Sequence, residues 1–396
     1  MIAVVGGFYV ERCIQPRWDN VFGSGGRAVS ALAAQTKVRF STYVDDRLRP
    51  ELEARAASWG DVALHMTSIP ESVTFDYVHP LSVPLITPVP QLIGKGPSLS
   101  VDEDIVLRFG MLDGDAVVRG RRVVYDPQSA YAPTFFRANG SHADSLAVVA
   151  NGHEVRLLTG ESDPELGARA ILARDTAEVV VVKRGAKGAI VVSSGGVQQV
   201  PAYKTELVFS LGSGDMFAAA FALFWGEHGL DPASAADLAS RATARYCETR
   251  AAVLTTASDL TALPMLPLSP RGGKVYLAGP FFTVSQRWLV EEARAHLRGL
   301  GLDVFSPLHD VGAGPADVVA PADIAAFSEC DRVLALVDGA DPGTIFEVGY
   351  ARALGLPVIA LAEVLSTEDK KMIVGSGCTL IDDFVTALYL TAWVAG

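Results

Sequence analysis

A chain of 396 residues, 49% of them hydrophobic and 20% charged, has room for two domains that each bury a core and is too apolar for disorder. Its net charge of -12 argues against nucleic acid polymers as partners, because holding a phosphate backbone requires clustered Lys and Arg. Cys13, Cys247, Cys330 and Cys378 are scattered, with no CxxC pair or His-Cys cluster suited to zinc.

The start, MIAVVGGFYVERC, carries a short apolar run with no basic flank, which reads as a first strand rather than a secretory signal. No apolar run approaches the roughly 20 residues that span a bilayer, so a soluble cytoplasmic protein with no membrane partner is expected. Along the chain, Ile2 to Val5, Val123 to Tyr125, Leu146 to Val149 and Val179 to Val182 read as buried parallel strands between Ala-rich helices. From Glu71 to Pro90 the pattern changes to ESVTFDYVHPLSVPLITPVP, where prolines and alternating apolar residues predict a small exposed sheet or lid. The segment ALPMLPLSPRGG, rich in Pro and Gly, reads as an extended connector. A second βα alternation follows, with strands at Lys274 to Ala278, Val304 to Phe305, Arg332 to Val337 and Pro357 to Leu361.

Two segments carry chemistry. In SLGSGDMFAAAFALFW, Gly212, Ser213 and Gly214 precede an apolar helix, so freed backbone N–H groups and the helix dipole favour a phosphate there. Asp215 could take a proton from an attacking hydroxyl; equally, it could be a helix cap in a glycine turn. The turn alone leaves these two readings level.

Other segments separate them. NGHEVRLLTG, VVVKRGAKGAIVV, VVYDPQ and the GSGD turn stand in the order found in PfkB carbohydrate kinases. Over about its first 260 residues the chain therefore resembles this ribokinase-like family. The resemblance implies Asp215 as base, Gly212, Ser213 and Gly214 as the anion hole, and Lys183 and Gly185 on the nucleotide side. It implies Asn151 and Glu154, in an NxxE pattern, as organisers of Mg²⁺ through water, with ATP as donor. Without the resemblance, Asn151 reads as a cap and Glu154 as a solvated helix charge. FGSGGRAVSALA resembles the family's sugar-binding element, which makes Gly25, Gly26 and Glu11 substrate-binding candidates. Ala28 stands where an Asn is common, Glu11 where a shorter Asp is usual, and Phe209, Ser210 and Leu211 replace the Asp-Thr-Thr of DTTGAGD.

The second segment is CDRVLALVDGADPGTIFEVGYARALGLPVIAL, a strand, turn, helix and strand. Glu347 falls in the first turns of that helix, where the dipole stabilises an anion suited to nucleophilic attack. Asp341 and Glu347 are also common helix-start carboxylates. VYLAGPFF, ADIAAFSECD and DPGTIFEVGYARALGLPV together resemble nucleoside 2-deoxyribosyltransferases from about Lys274 to the end. By resemblance Glu347 attacks the anomeric carbon, Tyr276 orients it, Asp323 meets the departing base and Asp341 receives the sugar 5'-hydroxyl. Tyr276 as core filler and Asp323 as the cap of its helix are the plainer readings. In KKMIVGSGCTL, Lys371 replaces an Asn expected near the 5' end. In some relatives this segment reaches a neighbouring subunit's site, which implies a homo-oligomer.

The combined expectation is a ribokinase-like wound α/β sheet with a small lid over 1–262, a linker over 263–273, and a smaller flavodoxin or Rossmann-like doubly wound domain over 274–396. Its implied activity is bifunctional salvage of nucleosides, sugars and nucleobases: glycosidic cleavage or deoxyribosyl transfer, plus ATP-dependent phosphorylation of a sugar or nucleoside. Alternatives are a nucleoside 5'-monophosphate hydrolase with a nucleoside kinase domain, and a non-catalytic nucleotide-binding scaffold. A dinucleotide-dependent oxidoreductase is suggested only by VVGGF, which lacks a full GxGxxG.

Overall fold

The computed structural model describes residues 1–129, 131–268 and 272–394. It divides into two units, one of Met1–Thr205 with Phe209–Leu268, the other of Glu206–Val208 with the chain beyond Leu268. Among the described residues no helix is long and apolar enough to cross a membrane. All four cysteines are buried.

The first unit runs through β1 (Ile2–Val5), β2 (Val10–Cys13), β3 (Trp18–Val21), α1 (Gly23–Leu32), β4 (Val38–Val44), α2 (Arg49–Trp59) and β5 (Val62–Ser68). It continues with β6 (Thr74–Tyr77), β7 (Leu85–Thr87), β8 (Leu99–Asp102), β9 (Ile105–Phe109), β10 (Ala116–Asp126) and β11 (His142–Asn151). Then come α3 (Gly152–Thr159), α4 (Pro164–Asp175), β12 (Val179–Lys183), β13 (Ala189–Ser193), β14 (Gly196–Val200) and β15 (Ala202–Tyr203). It closes with α5 (Ser213–Phe221), α6 (Pro232–Thr249), α7 (Ala257–Ala262) and β16 (Pro267–Leu268).

The main sheet has the order β14-β13-β12-β11-β10-β9-β1-β4-β5, with β8 also on β10. It is parallel except where β13 joins β12 and β14. Its apolar runs are continuous because both faces are covered: Val179 and Val181 enter one core with α5 and α6, while Val180 and Val182 enter the other with α3 and α4. Each fully buried valine contributes roughly 1.5–3 kcal/mol, and successive residues alternate faces. A separate sheet, β3-β2-β6-β7, takes β6 and β7 from the proline-rich stretch expected to form a small sheet or lid, and β2 and β3 from the chain before α1. The expected connector is partly structured, since β16 pairs antiparallel with β15; its residues 269–271 lie outside the described residues.

The second unit contains β17 (Lys274–Ala278), α8 (Val284–Gly299), β18 (Asp303–Phe305), α9 (Ala316–Ala326), β19 (Arg332–Leu336), α10 (Pro342–Ala353), β20 (Val358–Leu361), α11 (Thr367–Gly375), β21 (Thr379–Ile381) and α12 (Phe384–Trp393). Its strands order as β18-β17-β19-β20-β21, all parallel. This 2-1-3-4-5 order leaves a switch point at the carboxyl ends of β17 and β19, the usual ligand crevice of such sheets. The wound sheet with a lid and the smaller doubly wound sheet match the expected fold class.

Candidate functional sites

Three neighbouring strands of the first unit each end their apolar run on a polar residue: Asp126 ends β10, Asn151 ends β11 and Lys183 ends β12. Asn151 lies opposite Lys183 in register, so strand spacing alone sets these groups side by side. Lys183 Nζ donates to Asp126 Oδ2 at 2.6 Å. Burial pushes the Asp126 carboxyl above its ordinary value against the pull of Lys183. For Lys183, burial acts the other way, but Asp126 and Glu154 outweigh it and keep the ammonium charged.

These residues line a cavity of about 340 Å³, together with Glu11, Gly212, Gly214 and Asp215. Asp215 is the third residue of α5, whose cap residue Gly212 has φ +77° and whose start has no side-chain cap. Asp215 is thus not a helix cap. Arg27 Nη1 donates to its Oδ2 at 2.5 Å, and Gln128, in the left-handed region at φ 44°, donates to its Oδ1. Arg27 also forks onto both oxygens of Glu11. Both carboxylates and the guanidinium are buried, and such a group is stabilising only while every charge keeps its partner. Burial still holds Glu11 above its ordinary value, with Arg27 pulling it down.

Glycine is required at position 212 for two reasons: its positive φ, and the Arg27 guanidinium, which would stand 2.2 Å from an added Cβ. At Gly214 an added Cβ would stand 3.3 Å from Lys183 Nζ, so the ammonium overlooks the glycine turn. Asn151 and Glu154 form a reciprocal capping box at α3, with bonds of 2.9 and 2.8 Å. The cap reading of Asn151 is therefore realised. Glu154, however, is buried rather than solvated, and burial, reinforced by Asp126, pushes its pKa up to about 7.

The remaining first-unit candidates stand apart from the cavity. Gly25 and Gly26 let α1 pack closely, since an added Cβ would meet Phe40 and Gly6, or Phe8. Gly185 opens a short 3-10 turn, and neither it nor Ser213 is among the cavity-lining residues. The donor set does fit a divalent cation: oxygen ligands predominate, and the carboxyls of Glu11, Asp126, Glu154 and Asp215 outnumber Lys183 and Arg27.

In the second unit, Tyr276 on β17 is fully buried, stacked on Phe327 with centroids 3.9 Å apart. Its hydroxyl donates to Glu347 Oε1 at 2.7 Å, so it is more than core filler. Burial and Glu347 hold the Tyr276 hydroxyl protonated. Asp323 sits well inside α9 rather than capping it. Its Oδ1 is buried without a hydrogen-bond partner, and burial raises its pKa. Asp341 caps α10, its Oδ2 accepting from Thr344 N at 2.8 Å and Thr344 Oγ1 at 3.0 Å. Lys371 is exposed and pairs with Glu368 at 2.6 Å.

Glu347 departs from expectation. It is the sixth residue of α10, beyond the first turn where the dipole acts. Burial, with the nearby Asp323 and Asp341 charges, pushes its pKa up to about 7, and the Tyr276 hydrogen bond opposes that rise. The group is therefore poised between acid and nucleophile near neutrality.

The comparisons with known proteins match both modules. The chain carries a pfkB family carbohydrate kinase domain, matched over residues 120–257, and a nucleoside 2-deoxyribosyltransferase domain, matched over residues 275–377. Similar solved structures include a ribokinase from Thermotoga maritima, 17% identical, covering 66% of this chain and 98% of that one at a TM-score of 0.45. A Vibrio cholerae fructokinase bound to fructose, ADP and calcium is 18% identical, covering 66% and 98% at a TM-score of 0.48. A Burkholderia thailandensis nucleoside kinase in complex with inosine is 17% identical, covering 67% and 98% at a TM-score of 0.45. No curated protein matches the chain.

Arg27, Gln128, Asp126 and Asp113 are cavity residues, or their direct partners, that the sequence reading did not single out. Asp126 was signalled by its place at the end of an apolar run. Arg27 had no comparable signal, because its partners Glu11 and Asp215 come from distant segments.

Proposed function

We propose that the chain is a bifunctional salvage enzyme with domains over 1–262 and 274–396. The second unit cleaves or transfers the N-glycosidic bond of a nucleoside, and the first phosphorylates a sugar or nucleoside hydroxyl. The observation that carries the reading is the Glu347 carboxyl, held by Tyr276 at 2.7 Å at a switch-point crevice. Ionised Glu347 attacks the anomeric carbon as the bond to the base breaks, giving a glycosyl ester. Asp323, whose pKa burial raises, is the acid that gives its proton to the leaving base. Water or a second base then attacks the same carbon and frees Glu347, the two-step logic of retaining glycosidases. Asp341 beside this site disfavours a phosphate through like-charge repulsion, which supports nucleosides over monophosphates.

In the first unit, Asp215 takes the acceptor proton as the hydroxyl attacks the terminal phosphoryl group of ATP and the bond to the bridging oxygen breaks, releasing ADP. Lys183 and the α5 amide groups hold the transferring phosphate. Asn151 and Glu154 would hold Mg²⁺ through water, and the ion supplies charge neutralisation on the donor phosphates. A second reading, a nucleotide-binding module without turnover, is favoured by one observation: both oxygens of Asp215 already accept hydrogen bonds.

A nucleoside panel incubated with and without ATP, Mg²⁺ and an acceptor base, followed by mass spectrometry, tests both halves. Base release and a phosphorylated product are expected. No base release from any nucleoside or monophosphate overturns the second-unit role. Tight ATP binding by calorimetry without phosphorylated product favours the binding module.

A further inference from the structure

Each cavity carboxyl described so far has a partner: Arg27 for Glu11 and Asp215, Lys183 for Asp126, and the Asn151 amide for Glu154. Asp113 is different. It lies in the connection between β9 and β10, only 3% exposed, and lines the same cavity. Among the described residues, no hydrogen bond from another residue reaches its carboxyl. Its own backbone N–H is its only support, and burial pushes its pKa up to about 6. A buried carboxyl in that state is costly, and a ligand carrying N–H donors removes the cost.

The walls indicate what sort of ligand. Tyr9, Phe75 and Tyr77 form an aromatic run along the lid, with ring centroids 4.6 and 6.4 Å apart, and Ile86, Met111 and Leu112 add apolar surface. A flat heteroaromatic ring would cover more of these walls than a free pentose. The volume of about 340 Å³ is within the range of small-molecule sites.

We propose that the first-unit cavity takes a nucleoside whose base presents two adjacent N–H donors to the Asp113 carboxylate, with the ring against Tyr9, Phe75 and Tyr77. Its role as phosphoryl acceptor rests on the kinase reading above; its binding does not. Two parallel N–H bonds on one carboxylate are stronger and more selective than one, so a base losing one donor binds less well.

Guanosine and inosine differ by one amino group and provide the test. Calorimetric titration of the full chain and of Asp113→Asn is read as the difference between the two, which cancels binding at the glycosidic site. Guanosine is expected to bind the wild-type site about tenfold or more tighter than inosine, and the variant to lose that preference. Asp113→Ser repeats the comparison should the Asn variant fail to fold. Equal Asp113-dependent binding of the two nucleosides, an unchanged preference in the variants, or no nucleoside binding overturns the proposal. If the preference holds but no phosphorylated guanosine forms with ATP and Mg²⁺, the kinase reading fails and the Asp113 site stands.

Discussion

Replacing Tyr276 by Phe removes one hydroxyl and leaves the ring stacked on Phe327. The lost bond is the 2.7 Å donation to Glu347 Oε1, and a hydrogen bond to a charged group is worth about 1.5–3 kcal/mol. That bond is the contribution holding the Glu347 pKa down. At about 1.4 kcal/mol per unit, its loss would raise the pKa by one to two units in a sealed site. The partial solvent access of Glu347 reduces this to about one. Because the nucleophile must be ionised, base release from a nucleoside should have an ascending limb with its midpoint at about pH 7 in the wild type, whatever limb Asp323 adds at higher pH. In Tyr276→Phe the same limb should move up by about one unit. The plateau should also fall, since the carboxylate is no longer oriented. The assay is base release against pH, with thermal unfolding to check that the core is intact. A midpoint that stays in place or moves down, in a folded variant, refutes the reasoning.

Glu347→Gln should abolish base release while leaving ATP-dependent phosphorylation unchanged. It should also stabilise the chain by roughly 1–2 kcal/mol at pH 8, a figure discounted for partial exposure. The sign follows from a folded pKa raised from 4.5 to about 7: ionising Glu347 costs stability as pH rises through that interval. Melting temperatures of the two proteins should therefore converge near pH 4.5. Asp215→Asn should lose phosphorylated product by about 10²-fold or more with base release intact, as resolved by mass spectrometry. Arg27→Leu leaves Glu11 and Asp215 as buried carboxylates without their counter-charge and should cost about 3–5 kcal/mol in denaturant unfolding. Adding Glu11→Gln to it should recover part of that loss.

The elements easiest to read in the sequence are those whose burial depends only on their own pattern. Val179 to Val182 and Lys274 to Ala278 are apolar runs because both sheet faces are covered, and that signal is local. Short strands such as Asp303–Phe305 and Thr379–Ile381 carry too few residues to declare themselves fully. The sites divide the same way. Glu347 and Asp215 stand in dense local motifs, so their positions are legible from spacing. Their electrostatics are not, because the groups that set them are remote in sequence. Glu347 is governed by Tyr276, Asp323 and burial, which outweigh the helix dipole that its sequence position suggests. Arg27, in a glycine-rich helix start, gives no sign of the two carboxylates it joins. Asp113 sits in a connecting loop whose enclosure is decided by a lid formed from other segments.

The three strand-end residues Asp126, Asn151 and Lys183 also bear on how this kinase unit can change over evolutionary time. Their separation is fixed by the hydrogen-bond ladder of the central sheet, so no single substitution can alter it without unpairing a strand. Glu11, Phe75 and Asp113, by contrast, stand on lid strands and a connecting loop, where exchange disturbs few backbone bonds. On the reading proposed above, selection for a new acceptor can therefore act on the lid without disturbing the strand-end residues. Of the unusual residues of this chain, Glu11 falls on that pattern, standing on β2 of the lid, whereas Ala28 lies on α1 and Phe209 to Leu211 precede α5.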